Sequence, residues 1–415
     1  MPHLFYIIFI FALGSCVGSF LNVVVWRLPR GESLVTPPSH CPKCDRRLKW
    51  YDNIPILGWI KLTGKCRYCK ERISPRYPIV EAATAILFAF YYVAYYVLQW
   101  RTCSPQSGDW VLVNSWPIYA LYMMLLAGLL ASSLIDAELF IIPVQIPWII
   151  AVVAFFVHAI ADRPWVPGSL NLLGDFGSAA AALSAGAAVG LAVSMVLWFF
   201  RLMPTSFPHG EPLLEVDRIA IEADIHRAKS AGEPIEQEPL PPPYTPKEIR
   251  GEMRKEMLFL FPPMLLGGAW MAMTEYLPSM HAFWSGLLRY DWLTGLLGSL
   301  LGAMVGGFVV WLTRILGTIA FRRVAMGLGD VHLMFGVGAV IGGAGATIAF
   351  FIAPFFGILI ALYALISHKR REMPLGPYLS LATAVVMLFY CPIAAYLTPG
   401  LEGLSMFVAG LMGHG

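Results

Sequence analysis

Charge is what this sequence has least of. Asp, Glu, Lys and Arg supply 13% of 415 residues, against 58% hydrophobic ones, a balance that excludes an ordinary water-soluble globular chain. The net charge of +3 carries little by itself; where the charges sit carries more, and no nucleic-acid partner is expected. No Gly-x-Ser-x-Gly elbow, His-Glu-x-x-His helix or P-loop occurs, so those hydrolytic and phosphate-binding chemistries have no carrier. No basic stretch precedes the first apolar run, residues 4–26, which therefore reads as a span rather than a cleaved signal peptide.

Long apolar runs, by contrast, recur along the chain, and about 20 such residues cross a bilayer as a helix. The expected fold is an all-α polytopic membrane protein of about ten transmembrane helices. A first span (1–26) leads into a polar block (27–78) whose stretch 27–77 carries twelve Lys or Arg residues, marking the cytoplasmic side. Residues 79–161 carry the next spans, delivering Asp136 to the same face. Residues 162–292 hold a further pair of spans around an insert (201–256), where eleven acidic and eight basic residues mix with prolines such as Pro239 and Pro241. That composition buries no core of its own and reads as a linker or a small, partly helical cytoplasmic piece. The last spans lie in 293–398, with a tight outer turn near 342–345, a basic cluster from His368 to Arg371, and a tail from 399 placed outside. Counting from an outside N-terminus puts every strongly basic loop, and both Asp136 and Asp330, at one face.

The most specific motif is Cys41-Pro42-Lys43-Cys44 with Cys66-Arg67-Tyr68-Cys69, two Cys-x-x-Cys knuckles separated by twenty-one residues. This spacing fits a closed Cys₄ zinc site, structural because no ligand position is left open. Disulfides are the competing reading, and a cytoplasmic location argues against them. Cys16, Cys103 and Cys391 read as packed apolar residues.

Two acids stand out at span ends. Asp136 closes Ser133-Leu134-Ile135-Asp136, and Asp330 lies in Met326-Gly327-Leu328-Gly329-Asp330-Val331-His332, where Gly327 and Gly329 leave room for another peptide to approach. An acid at a membrane boundary is by itself more often solvated than catalytic. As a pair at one face they suit an aspartic dyad, one carboxylate activating water and the other protonating the oxyanion or leaving amine. Glu81 and Glu138 read as boundary residues, and His332 as structural or substrate-facing.

These residues resemble the type IV prepilin peptidases, bifunctional leader peptidases and N-methyltransferases. The likeness rests on Gly18-Ser19-Phe20-Leu21-Asn22-Val23 with Arg27-Leu28-Pro29, on the zinc block with Trp50-Tyr51-Asp52-Asn53-Ile54-Pro55, on Arg76-Tyr77-Pro78-Ile79-Val80-Glu81, on both aspartates, and on Pro374-Leu375-Gly376-Pro377-Tyr378-Leu379. It covers roughly 14–161 and 293–397. It implies a multi-pass protein of the bacterial inner membrane, cleaving prepilins or pseudopilins at the cytoplasmic face. It also implies methylation of the new N-terminus from S-adenosylmethionine, with Gly64 and Lys65 at a position linked to methyl transfer. The basic block also suits anionic lipid headgroups.

Two departures accompany the likeness. His332 stands where the family usually has lysine, and about 130 residues are added between the fourth and seventh spans. Two other readings stay open: another Gly-x-Gly-Asp protease of the intramembrane or preflagellin type, or a non-enzymatic assembly protein whose zinc block docks a partner.

Overall fold

Apolar runs fold as helices because hydrocarbon offers backbone N–H and C=O groups no partner outside their own segment. The computed structural model describes residues 2–100, 111–163, 166, 168–172, 174–208, 244–366 and 374–411. Among them the only pairing of strand type is two isolated bridges, His40 with Arg47 and Lys65 with Arg72. The helices are α1 (Pro2–Arg27), α2 (Leu57–Lys61), α3 (Arg76–Tyr92), α4 (Leu112–Leu139), α5 (Gln145–Ala161), α6 (Gly174–Phe199), α7 (Pro246–Tyr276), α8 (Pro278–Leu287), α9 (Asp291–Phe321), α10 (Leu328–Ile366) and α11 (Gly376–Leu411). The all-α polytopic expectation is met.

Eight of these stretches are long and apolar enough to cross a membrane, and α5 is a shorter apolar helix of 17 residues. One of the eight is really two. Gly342 breaks α10 with φ 81° and ψ 163°. A Cβ placed on Gly306 of α9 would lie 2.4 Å from the Met334 carbonyl oxygen and 3.1 Å from the Ala346 Cβ. Twelve residues of continuous helix span about 18 Å, so the chain must fold back between Met334 and Ala346. The turn expected at 342–345 falls at this reversal, and the eight candidate spans compare with about ten expected.

Small residues set the closest contacts. A Cβ on Gly14 would come within 2.8 Å of the Ala85 Cα, and one on Gly18 within 2.7 Å of the Glu81 Cα, so α1 lies directly on the backbone of α3. Tyr91, Tyr95 and Tyr119 fill the core behind them; their hydroxyls donate to the carbonyls of Ala384, Met387 and Phe88. The main core joins α1, α3, α4, α5, α9, α10 and α11, while α6, α7 and α8 pack beside it on α9.

Several details differ from the expectation. Helix α7 starts at Pro246 inside the stretch read as insert, because Thr245 and Glu248 form a capping box that starts the helix ahead of the apolar run. Cys16 is exposed and Cys391 is disulfide-bonded, so neither is simply a packed apolar thiol. The short helix α8 was not anticipated. Arg101, Cys103, Pro164, residues 209–243 of the insert, the cluster from His368 to Arg371 and residues 412–415 lie outside the described residues.

Candidate active site and metal centre

The polar block is built on two knuckles with one backbone pattern. In the first, the Cys41 amide donates to the Arg46 carbonyl and the Asp45 amide to the Cys41 carbonyl; in the second, Cys66 donates to Glu71 and Lys70 to Cys66. Asp45 and Lys70 hold the equivalent left-handed position, with φ 56° and 61°. The four sulfurs face one point: Cys41 to Cys69 is 3.8 Å, Cys44 to Cys66 is 4.0 Å, and all lie within 4.8 Å of one another. Four ligands about 2.3 Å from zinc sit about 3.8 Å apart, so the cluster fits a tetrahedral ion with little movement.

Electrostatics agree with that fit. The amides of Cys69 and then Tyr68 draw the Cys66 thiol down to about 6. Against the amide of Glu71, which lowers it, burial and the neighbouring thiols push Cys69 up to about 11. Four crowded sulfurs resist ionising together unless a dication sits among them.

Around the knuckles, Arg67 donates from Nε and Nη2 to the buried Asp52 at 2.7 and 2.5 Å. This contact holds the Asp52 carboxyl below the ordinary carboxylate range. Ile56 adopts φ 60°, ψ −55°, with the Leu57 amide 2.5 Å from the Pro55 oxygen, a tight and strained turn. Glu81 of α3 stabilises it by accepting the Ile56 amide at 2.6 Å. Glu81, read as a boundary residue, thus fastens the block to the membrane helices. Gly64 holds φ 66° beneath the Trp59 ring, which a Cβ would approach to 2.9 Å. The exposed Lys65 lies in the bridge with Arg72.

Asp136 ends α4, where Phe140 in a left-handed conformation closes the helix on the Asp136 carbonyl. Its carboxylate Oδ2 accepts the Gly376 amide at 3.0 Å, at the N-terminus of α11. A Cβ at 376 would fall 2.5 Å from that oxygen and 3.2 Å from Ile142 Cδ1. Asp330 lies in the first turn of α10, and a Cβ on the adjoining Gly329 would meet Ile142 Cβ at 3.0 Å. Ile142 therefore touches both the Gly376 backbone that holds Asp136 and the Gly329 backbone beside Asp330, and both aspartates are buried, at 6% and 8% exposure. Sequence reasoning noted the Pro374–Leu379 motif but gave Gly376 no role; only the fold places its amide against an acid 240 positions earlier. His332 turns to α5, its ring 6.1 Å from Trp148.

The block and the acids occupy one end of the bundle. Asn22 donates to the Tyr77 carbonyl, Arg76 pairs with Glu138 at 2.5 Å, and Asp136 meets Gly376. An apolar groove of about 920 Å³ opens along α1, α4 and α5, lined by residues from Phe5 and Phe9 to Leu28 and Leu34, and by Ala131 and Ile146. Ala131 is five residues from Asp136, about 8 Å along the helix.

Such an arrangement defines a multi-pass helical membrane protein with a four-cysteine cluster able to hold a metal ion and two buried carboxylates. The family model described as the bacterial peptidase A24 N-terminal domain matches residues 12–95. The prepilin leader peptidase/N-methyltransferase of Myxococcus xanthus is 54% identical over 81 residues, covering 20% of this chain and 24% of that protein. The enzyme so named from Stutzerimonas stutzeri is 34% identical over 215 residues, 46% of this chain and 63% of the relative. That of Pseudomonas putida is 31% identical over 230 residues, 49% of this chain and 67% of the relative. The chain belongs to the prepilin leader peptidase/N-methyltransferase family. It spans from about a quarter to about two-thirds of the curated relatives it matches. No solved structure matches it.

Proposed function

We propose that this protein is an aspartic endopeptidase of the bacterial inner membrane that removes the leader from prepilins or pseudopilins at the cytoplasmic face. The observation that supports the reading is that Ile142 lies against both Gly376, whose amide holds the Asp136 carboxylate, and Gly329, the residue before Asp330. Two carboxylates sharing a proton divide the labour: the ionised one takes a proton from water as it attacks the scissile carbonyl, and the protonated one delivers its proton to the leaving amine. Gly327 leaves the backbone before Asp330 without a side chain, where an extended substrate strand would lie, whereas the space beside Gly329 is taken by Ile142. The apolar groove suits the hydrophobic helix that follows such a leader, lying in the membrane with its polar end toward Asp136.

Cys41, Cys44, Cys66 and Cys69 would hold Zn²⁺, whose closed tetrahedron supplies a staple and no catalytic position. The family name implies a second activity, methylation of the new N-terminus from S-adenosylmethionine. A cavity of about 460 Å³ between α1 and the block is lined by Arg27, Arg47, Trp50 and Asn53, without a carboxylate for the donor's amino group. Those residues do not make a complete site for the donor, and Gly64 has a conformational reason of its own.

Co-expression with a prepilin, followed by mass spectrometry of the pilin N-terminus, tests the reading. A shortened pilin that disappears with Asp136→Asn and with Asp330→Asn supports the peptidase, and a methyl group on it supports the second activity. Cleavage that persists in either variant overturns the dyad.

A further inference from the structure

Arg314 of α9 is the largest fully buried side chain among the described residues, with no exposed surface. A guanidinium inside a membrane-spanning helix needs a partner and a reason. The partner is Glu256 of α7, itself 3% exposed, whose carboxylate accepts Arg314 Nε at 3.2 Å, Nη2 at 3.1 Å and the Trp311 indole N–H at 2.7 Å. The remaining arm of the guanidinium, Nη1, donates to the backbone carbonyl of Met326, the residue directly before Gly327. One side chain therefore ties three elements together: its own helix, α7, and the loop that leads into Asp330.

The surroundings fix this link. Phe207 lies with its ring centroid 5.8 Å from the guanidinium carbon, and its amide donates to Glu252, one turn before Glu256. Phe207, Met253 and Ile315 form a small buried cluster with Tyr244, Trp311 and Val324 around them. The loop has a second hold: the Ala325 amide donates to the buried Thr318 hydroxyl at 3.1 Å. Ala325 and Met326 are thus pinned in succession, one through the α9 hydroxyl of Thr318 and one through a guanidinium that Glu256 of α7 also binds.

We propose that α7 braces the Gly-x-Gly-Asp loop, and that Glu256 and Arg314 are positioning residues setting where Asp330 sits. This gives a task to part of the segment 162–292, which sequence reasoning left as an addition without one. The catalytic half of the proposal rests on the dyad reading; the mechanical half does not. Neither side chain needs to touch substrate. A plain ion pair would only solvate the arginine; a brace also requires the bond to Met326.

Arg314→Lys separates these roles, because a single ammonium keeps the charge opposite Glu256 but lacks the fork that reaches the carbonyl as well. Replacing both partners, Glu256→Met with Arg314→Met, removes the bridge without leaving an unpaired buried charge. The full chain in detergent or nanodiscs is followed by hydrogen exchange over residues 322–330, by zinc content and by leader-cleavage kinetics. The expected result in both variants is faster exchange in that segment, unchanged zinc, a KM near wild type, and a kcat lower by about tenfold or more, since misplacing a reacting group by 1 Å costs on the order of 100-fold. If the double variant does not insert, Arg314→Lys alone decides. Unchanged exchange overturns the brace. Faster exchange with wild-type kcat overturns the positioning role. Faster exchange in a chain whose unsubstituted form cleaves no prepilin supports the brace and removes the peptidase reading instead.

Discussion

Asp136 accepts a 3.0 Å hydrogen bond from the Gly376 amide, joining the end of α4 to the start of α11 across 240 residues. The bond places a carboxylate at a helix N-terminus, where the peptide dipoles favour negative charge. It also explains the glycine, because a Cβ there would fall 2.5 Å from the same oxygen. Gly376→Ala is expected to push the Asp136 carboxylate aside or break the amide contact, and to lower leader cleavage by at least about tenfold, given the cost of a misplaced group. Membrane insertion and zinc content should stay at wild-type levels, and wild-type cleavage by the alanine variant would show that the contact has no catalytic consequence.

Asp330→Asn and Asp136→Asn are each expected to reduce cleavage by about 10² to 10⁴, the usual range for removing a general acid or base. The side chains change little in shape, so thermal unfolding should barely move. The double Asn variant should be no worse than either single one, since two members of one dyad fail as a unit. Additive losses in a cleavage assay would contradict a shared mechanism.

What could be read from residues alone was whatever local pattern determines. Long apolar runs dictate helices, and two Cys-x-x-Cys knuckles dictate a four-sulfur cluster. Contacts between distant segments stayed invisible. Glu252 and Glu256 look like members of a solvated, mixed-charge insert, yet they are buried because Thr245 caps a helix that carries them under Phe207 and beside Arg314. Gly376 carries no chemistry of its own and gains a role only through Asp136. Glu81 read as a boundary acid because the strained turn at Ile56, which it satisfies, is a property of the folded block.

That strained turn gives a graded prediction. Glu81→Ala leaves the Ile56 amide without its charged acceptor, a loss of about 1.5–3 kcal/mol for a hydrogen bond to a charged group. Glu81→Gln keeps an oxygen in place and should cost less. Limited proteolysis between residues 50 and 62, together with the rate of zinc loss to a chelator, should rank wild type, Gln and Ala in that order. Equal rates for Ala and wild type would remove Glu81 as the fastening of the block.

The four-cysteine block should also respond to acid in two separable ways. Asp52 is held below its usual range by the Arg67 side chain, so its folded value lies under the unfolded one of about 3.9. A lowered folded value means that the pair's contribution is fully present above about pH 4 and is lost as pH falls through the folded value. The stability gap between wild type and Asp52→Asn should therefore be constant from neutral pH down to about pH 5 and close only below about pH 4. Metal release has a different origin, protonation of Cys41, Cys44, Cys66 and Cys69, and should begin at higher pH because thiolates bind protons more tightly than carboxylates do. Thermal melts of the metal-loaded and chelator-treated protein across that range distinguish the two. In the chelated protein the Asp52 effect should persist unchanged; its disappearance with the metal would mean that the Asp52–Arg67 contact exists only when the four cysteines are held together.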